Sequence, residues 1–170
     1  MNKISILLPY KENFSPEYPG AVSLYVKATT EKSKYKKAIN IFGHTNYKKI
    51  FNLSYTNIDL KKKMLQSGSK YYVEMFLRYN LQNQSDIIEI HNRPIYVKYI
   101  LQHNVKANIV LYFHNDPLTM SGSKKTSDRS FLFNRASKII FNSEWSKKRF
   151  SEGFEPNLIN SEKLLVIYQS

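Results

Sequence analysis

Short runs of apolar residues alternate along the chain with stretches whose apolar residues recur every three to four positions. Continuous apolar runs are typical of strands that are buried on both faces of a sheet. The predicted strands cover residues 4–8, 39–43, 86–91, 108–113, 138–142 and 163–168, with residues 50–55 as a further candidate. These runs predict a sheet at the centre of the fold.

Helical patterns fill the intervals between the predicted strands. They begin near residue 20, cover residues 61–82, 95–102 and 127–136, and follow Ser143. The pattern over 61–82 contains Gly68, which can bend or interrupt a helix. Ser143 is a favourable N-cap, and Gly153 fits the end of the helix that Ser143 starts. The alternation predicts an α/β fold, a three-layer sandwich whose mostly parallel central sheet lies between helices.

Polar residues directly follow several of the predicted strands, at the edge where open α/β sheets bind ligands. They are Asn92, Arg93, His114, Asn115, Asp116, Ser143 and Glu144. His114 can orient a sugar hydroxyl, transfer a proton or donate a hydrogen bond to a phosphate. Arg93 can clamp a phosphate or carboxylate, or pair structurally with Glu89 or Asp86. Asp116 can accept hydrogen bonds from hydroxyls or simply cap its turn.

Gly20 ends the loop that follows the first predicted strand and opens the next helix. A glycine at a helix N-terminus permits close approach of the backbone, and the free N–H groups favour an anion such as phosphate. The alternative is an ordinary turn. The dinucleotide fingerprint G-x-G-x-x-G and the phosphate loop G-x-x-x-x-G-K-[ST] are both absent from the sequence.

The composition narrows the function classes. The length of 170 residues fits one domain, and the lack of cysteine excludes disulfides and cysteine nucleophiles. The four histidines have no metal-binding spacing, so no metal cofactor is expected. No apolar run is long enough to cross a membrane, and the first one is too short for a signal peptide, which predicts a cytoplasmic protein.

The formal net charge of +13 indicates an anionic partner: a nucleic acid, an acidic membrane surface or a phosphorylated substrate. The basic residues are scattered, so a solvated surface without a specific partner is an equal alternative. Tyr35, Lys36 and Lys37 interleave aromatic and basic side chains, but no nucleic-acid-binding motif accompanies them. Nucleic acid is therefore the disfavoured partner.

Three stretches, DIIEIHNRPIY at 86–96, NIVLYFHND at 108–116 and ASKIIFNSEWSKKR at 136–149, resemble the N-terminal lobe of family 4 glycosyltransferases of the GT-B fold. The run LVIY at 165–168 is similar to the last strand of that lobe. The resemblance implies that residues 1–170 form a single Rossmann-like N-terminal domain, which binds the acceptor. It also implies that the C-terminal domain, which binds the donor, is absent from this chain.

The resemblance further implies a hexosyltransferase-type reaction, in which a sugar passes from a nucleotide-sugar to a hydroxyl of a glycan or lipid-linked acceptor, without a metal ion. In such a lobe Gly20 would lie near the donor diphosphate and His114, as the catalytic residue, near the transferred sugar. Residues that would line the acceptor side of the cleft are Asn92, Arg93, Asn115, Asp116, Ser143 and Glu144.

Enzymes of this kind build lipopolysaccharide, capsule and related glycans, which gives the basic surface a use at the inner face of an anionic membrane. A lobe without its donor-binding partner is expected to fold but to lack transfer activity. Two alternatives remain open at this point: a non-enzymatic binding module and a basic nucleic-acid-binding domain.

Overall fold

A computed structural model describes residues 3–60, 67–159 and 161–168. Its strands are β1 (Ile4–Leu7), β2 (Ile39–Gly43), β3 (Tyr55–Asn57), β4 (Ile87–His91), β5 (Asn108–Phe113), β6 (Lys138–Phe141) and β7 (Leu164–Val166). Its α-helices are α1 (Ala21–Lys32), α2 (Gly68–Asn83), α3 (Ile95–Leu101), α4 (Thr126–Arg135), α5 (Glu144–Phe150) and α6 (Pro156–Ile159).

The seven strands form one sheet in the order β3-β2-β1-β4-β5-β6-β7, and every pair is parallel. Strands β2 and β3 lie on one side of β1 in the sheet, and strands β4 to β7 follow one another on its other side. The order therefore reverses between β1 and β4. The structure confirms the predicted α/β class, and the arrangement is a Rossmann-like fold.

Alternation of side chains along the strands gives the sheet two separate apolar faces. Ile6 and Ile41 pack with Val26 of α1 on one face. Ile88, Leu111 and helices α2 to α5 form the larger core on the other face. This placement covers both faces of the sheet with helices, as the alternating pattern predicts.

Two predicted elements differ from the structure. Residues 50–54 do not form the third strand, because Ile50, Phe51 and Leu53 pack as a loop against the α1 face, and strand pairing begins only at Tyr55. The long helical pattern over 61–82 yields a helix that starts at Gly68, with Ser67 as its N-cap. The first six residues of that pattern lie outside the described part of the chain.

Candidate functional site

A pocket of about 320 Å³ lies beyond the carboxyl ends of β1, β4 and β5. It is lined by Pro9, Glu12, Ala21, Val22, Asn92, Arg93, His114 and Asn115. Parallel strands end at the same edge of a sheet, and β1 and β4 are the neighbours between which the strand order reverses. Such a reversal opens a crevice because the loops that leave the two strands turn in opposite directions. We call this cavity the switch-point pocket.

The backbone of His114 is held from both sides by asparagines. Asn92 Oδ1 accepts a hydrogen bond of 2.8 Å from the His114 N–H, and Asn142 Nδ2 donates one of 2.8 Å to the His114 carbonyl. Asn92 itself has φ of 52°, a left-handed conformation that asparagine tolerates better than most residues. The two asparagines thus fix the position of the His114 backbone, which carries the ring.

The His114 ring lies among other aromatic rings. Its Nε2 is 2.9 Å from Nδ1 of His91, and the two rings are nearly parallel. Tyr25 of α1 meets the His114 ring edge-on, with 4.9 Å between the ring centroids. Burial, followed by the nearby Glu89 carboxylate, raises the pKa of Tyr25 above its ordinary value, so this phenol stays neutral at physiological pH.

Arg93 lies between the switch-point pocket and a neighbouring cavity of about 500 Å³. One of its guanidinium nitrogens donates to the Asn92 carbonyl at 2.7 Å. The alternative pairings are not present among the described residues: Asp86 accepts from the Lys3 N–H, and Glu89 lies beside His91. Among the described residues, no carboxylate forms an ion pair with Arg93. Its positive charge can therefore attract an anionic ligand.

The N-terminus of α1 is already occupied by a carboxylate of the chain itself. Glu12 Oε1 accepts a hydrogen bond of 2.9 Å from the Ser23 N–H in the first turn of α1. A Cβ added at Gly20 would overlap this carboxylate, although the φ of Gly20, −79°, suits any residue. Glycine at position 20 therefore makes room for Glu12. Sequence reasoning missed Glu12, which lies eight residues before Gly20.

Three predicted cleft residues lie outside the switch-point pocket, and two of them cap the start of a helical turn. The Asp116 carboxylate caps the turn at 117–119 and pairs with Arg149 at 3.1 Å. Burial opposes its ionisation, but hydrogen bonds from Arg149 and the Leu118 N–H outweigh burial and lower the pKa of Asp116. Ser143 caps α5, and Glu144 lines a different cavity of about 440 Å³.

Comparisons with solved structures give the same fold at low sequence identity. The crystal structure of Anabaena Alr3699/HepE in complex with UDP and glucose matches 100% of this chain with 16% identity and a TM-score of 0.62. UDP-N-acetylglucosamine 2-epimerase from Rickettsia bellii matches 98% of the chain with 12% identity and a TM-score of 0.57. The chain spans 45% and 44% of the lengths of these two proteins.

The UDP-GlcNAc 2-epimerase from Methanocaldococcus jannaschii is also similar, with 16% identity, a TM-score of 0.51, and coverage of 97% of this chain and 45% of that one. No protein-family model and no curated protein matches the sequence. At these identities the comparisons show the Rossmann-like fold. They also show that this chain is less than half as long as the proteins it resembles.

We predict that the effect of Gly20→Ala on stability depends on Glu12. In the natural background the new methyl group should displace the Glu12 carboxylate from the Ser23 N–H. In a Glu12→Ala background it should meet no carboxylate. The expected coupling is about 0.5–1 kcal/mol, measured by urea denaturation of both single variants and the double variant. Additive effects would show that the carboxylate does not occupy the end of α1.

Proposed function

We propose that this chain forms the acceptor-side half of a glycosyltransferase that uses a nucleotide-sugar, with the switch-point pocket as its part of the active site. The observation that carries the proposal is the convergence of Arg93, His114 and Asn115 with the N-terminus of α1 on one pocket. A cation, a helix N-terminus and hydrogen-bonding side chains suit a ligand that joins an anion to a polyhydroxylated ring.

Each group has a chemical task in this proposal. The Arg93 guanidinium attracts the diphosphate of the donor and stabilises the charge that develops on the leaving diphosphate. The ring of His114 and the side-chain amide of Asn115 bind sugar hydroxyls. Glu12 keeps the N-terminus of α1 paired while no ligand is bound, and its side chain moves aside when a phosphate takes its place beside Gly20.

A second domain is needed to complete the site. The similar structures are more than twice as long as this chain, and one of them holds UDP and glucose. The switch-point pocket is also small for a whole nucleotide-sugar at about 320 Å³. We therefore propose that a donor-binding domain covers the pocket, and that the 170-residue chain alone binds sugars weakly and transfers none.

The likeness to two UDP-GlcNAc 2-epimerases supports a second candidate, epimerisation of a nucleotide-sugar. Glycosyl transfer is favoured here by the resemblance of residues 86–96, 108–116 and 136–149 to family 4 glycosyltransferases. The two reactions give different products from UDP-GlcNAc. A transferase that includes this domain releases UDP only as an acceptor is glycosylated, whereas an epimerase forms the C2 epimer of UDP-GlcNAc without an acceptor.

We predict that Arg93→Gln weakens binding of UDP-glucose to the isolated chain about tenfold or more, because a charged hydrogen bond contributes roughly 1.5–3 kcal/mol. Chemical-shift titration of the backbone amides measures the affinity, even in the millimolar range. Arg78→Gln makes the same change at an exposed position on α2 and is the matched control. Equal affinities of the two variants would contradict a role for Arg93, and sugar transfer by the isolated chain would contradict the half-site proposal.

We also propose that the basic surface holds the protein at the cytoplasmic face of an anionic membrane, close to lipid-linked acceptors of glycan synthesis such as those of lipopolysaccharide. The net charge of +13 supports this proposal, since each lysine near an anionic surface contributes about 1 kcal/mol. No helix in the described ranges has the length and apolarity to cross a bilayer.

Vesicle flotation tests the membrane proposal. The chain should float with vesicles that contain anionic phospholipid, and raising the salt concentration should release it because salt screens surface charge. Vesicles of neutral phosphatidylcholine are the control and should leave the chain at the bottom of the gradient. Equal flotation with both kinds of vesicle would contradict an electrostatic attachment.

A further inference from the structure

Strands β4 and β5 place four polar side chains on the face of the sheet that α1 covers. Residues two apart on a strand share a face, so Glu89 lies beside His91 on β4, and Tyr112 beside His114 at the end of β5. The register pairs His91 with Tyr112, and their rings stack with centroids 4.5 Å apart. The two strands thus bring a carboxylate and two imidazoles into one row.

The two imidazoles share a single hydrogen-bonding proton. His91 Nδ1 and His114 Nε2 are 2.9 Å apart, so one of these nitrogens donates and the other accepts. A neutral imidazole carries one N–H. Two arrangements are therefore open to the neutral pair: both rings are protonated at Nε2, or both are protonated at Nδ1.

Glu89 distinguishes between the two arrangements. His91 is 1% exposed, and its Nε2 is buried without a hydrogen-bond partner, 3.7 Å from Oε2 of Glu89. An N–H at this position is attracted by the carboxylate, whereas a lone pair is repelled by it. A proton on His91 Nε2 leaves the lone pair on His91 Nδ1, which must then accept from His114 Nε2.

We infer that Glu89 and His91 are positioning residues that fix the proton of His114 on Nε2 and thereby make Nδ1 of His114 a hydrogen-bond acceptor. The fold supports this row of groups at each step. Asn92 and Asn142 hold the His114 backbone, and Tyr25 packs edge-on against its ring. Glu89 and His91 both lie on β4, so their relative positions are fixed by that strand, and the pairing of β4 with β5 places His114 next to His91.

This inference deepens the proposed function and selects the ligand group that His114 recognises. An acceptor nitrogen binds a hydroxyl, which donates, and it repels a phosphate oxygen, which also accepts. His114 therefore suits a sugar hydroxyl, while the positive charge of Arg93 and the N–H groups of α1 suit the phosphates. The sequence alone does not decide whether His114 binds a sugar hydroxyl or a phosphate. The positions of Glu89 and His91 favour the hydroxyl.

Nitrogen NMR of the imidazole rings tests the inference on the ligand-free chain. Long-range proton–nitrogen spectra are recorded above the pH at which the ring signals stop changing, so that each ring is neutral. We expect both rings to be protonated at Nε2, with an excess of about tenfold over the other arrangement. The exposed His103 serves as an internal reference for an unconstrained ring. Protonation of both rings at Nδ1 would overturn the inference.

A charge-neutral variant tests the part played by Glu89. Glu89→Gln should lower the excess of the Nε2–H arrangement several-fold, whereas Glu155→Gln, the same change at an exposed position, should leave it unaltered. An equal excess in both variants would show that the carboxylate does not set the tautomer. The wild-type spectrum decides the direction of the His91–His114 hydrogen bond even if Glu89→Gln fails to fold.

A ligand titration separates this inference from the proposed function. Methyl glucoside should shift the His114 ring nitrogen signals, and inorganic phosphate at the same concentration should shift them much less. A larger response to phosphate would overturn the assignment of His114 to a hydroxyl. If neither ligand moves any signal of the switch-point pocket, the proposed function fails, whereas the tautomers are decided by the ligand-free spectra.

Discussion

The parallel pairing of β4 with β5 is the constraint on which the rest of the site depends. Its register puts His91 opposite Tyr112 and so brings His91 within hydrogen-bonding distance of His114, which follows the end of β5. A shift of the pairing by one residue would turn these side chains to the opposite face of the sheet, into the large apolar core. Ile90 precedes His91 on β4, and Phe113 precedes His114 at the end of β5. Both are buried in the large apolar core and hold the register.

Polar residues at the ends of these strands divide into those that hold the loops and those that face the switch-point pocket. Asn142 donates to the His114 carbonyl and Asp116 accepts from the Leu118 N–H, so both side chains pair with backbone groups beyond the strands. Asn92 does both, since it lines the pocket and binds the His114 N–H. The positive charge of Arg93 has no carboxylate ion-pair partner within the described ranges, and the proposed function assigns this charge to the phosphates of a ligand.

The sequence predicts the architecture well because buried parallel strands require continuous apolar runs, and six such runs coincide with strands. It fails at residues 50–54, where apolar side chains that pack from a loop resemble the pattern of a strand. For the site, strand ends locate His114 and Arg93, but residue type alone cannot separate a cap such as Ser143 from a ligand contact. The alternation of Glu89 with His91 and of Tyr112 with His114 is a sequence signal for the polar row. This signal can be interpreted only when β4 and β5 are known to be neighbouring strands.

In the proposed function the crevice between β1 and β4 receives the sugar of a nucleotide-sugar. Intermolecular nuclear Overhauser effects between UDP-glucose and the methyl groups of the isolated chain test whether the sugar binds there. Contacts from the glucose protons to the methyl groups of Ala21 and Val22, which line the switch-point pocket, are the predicted result. Contacts confined to the methyl group of Thr45, in the separate cavity beside Tyr10 and His44, would contradict it.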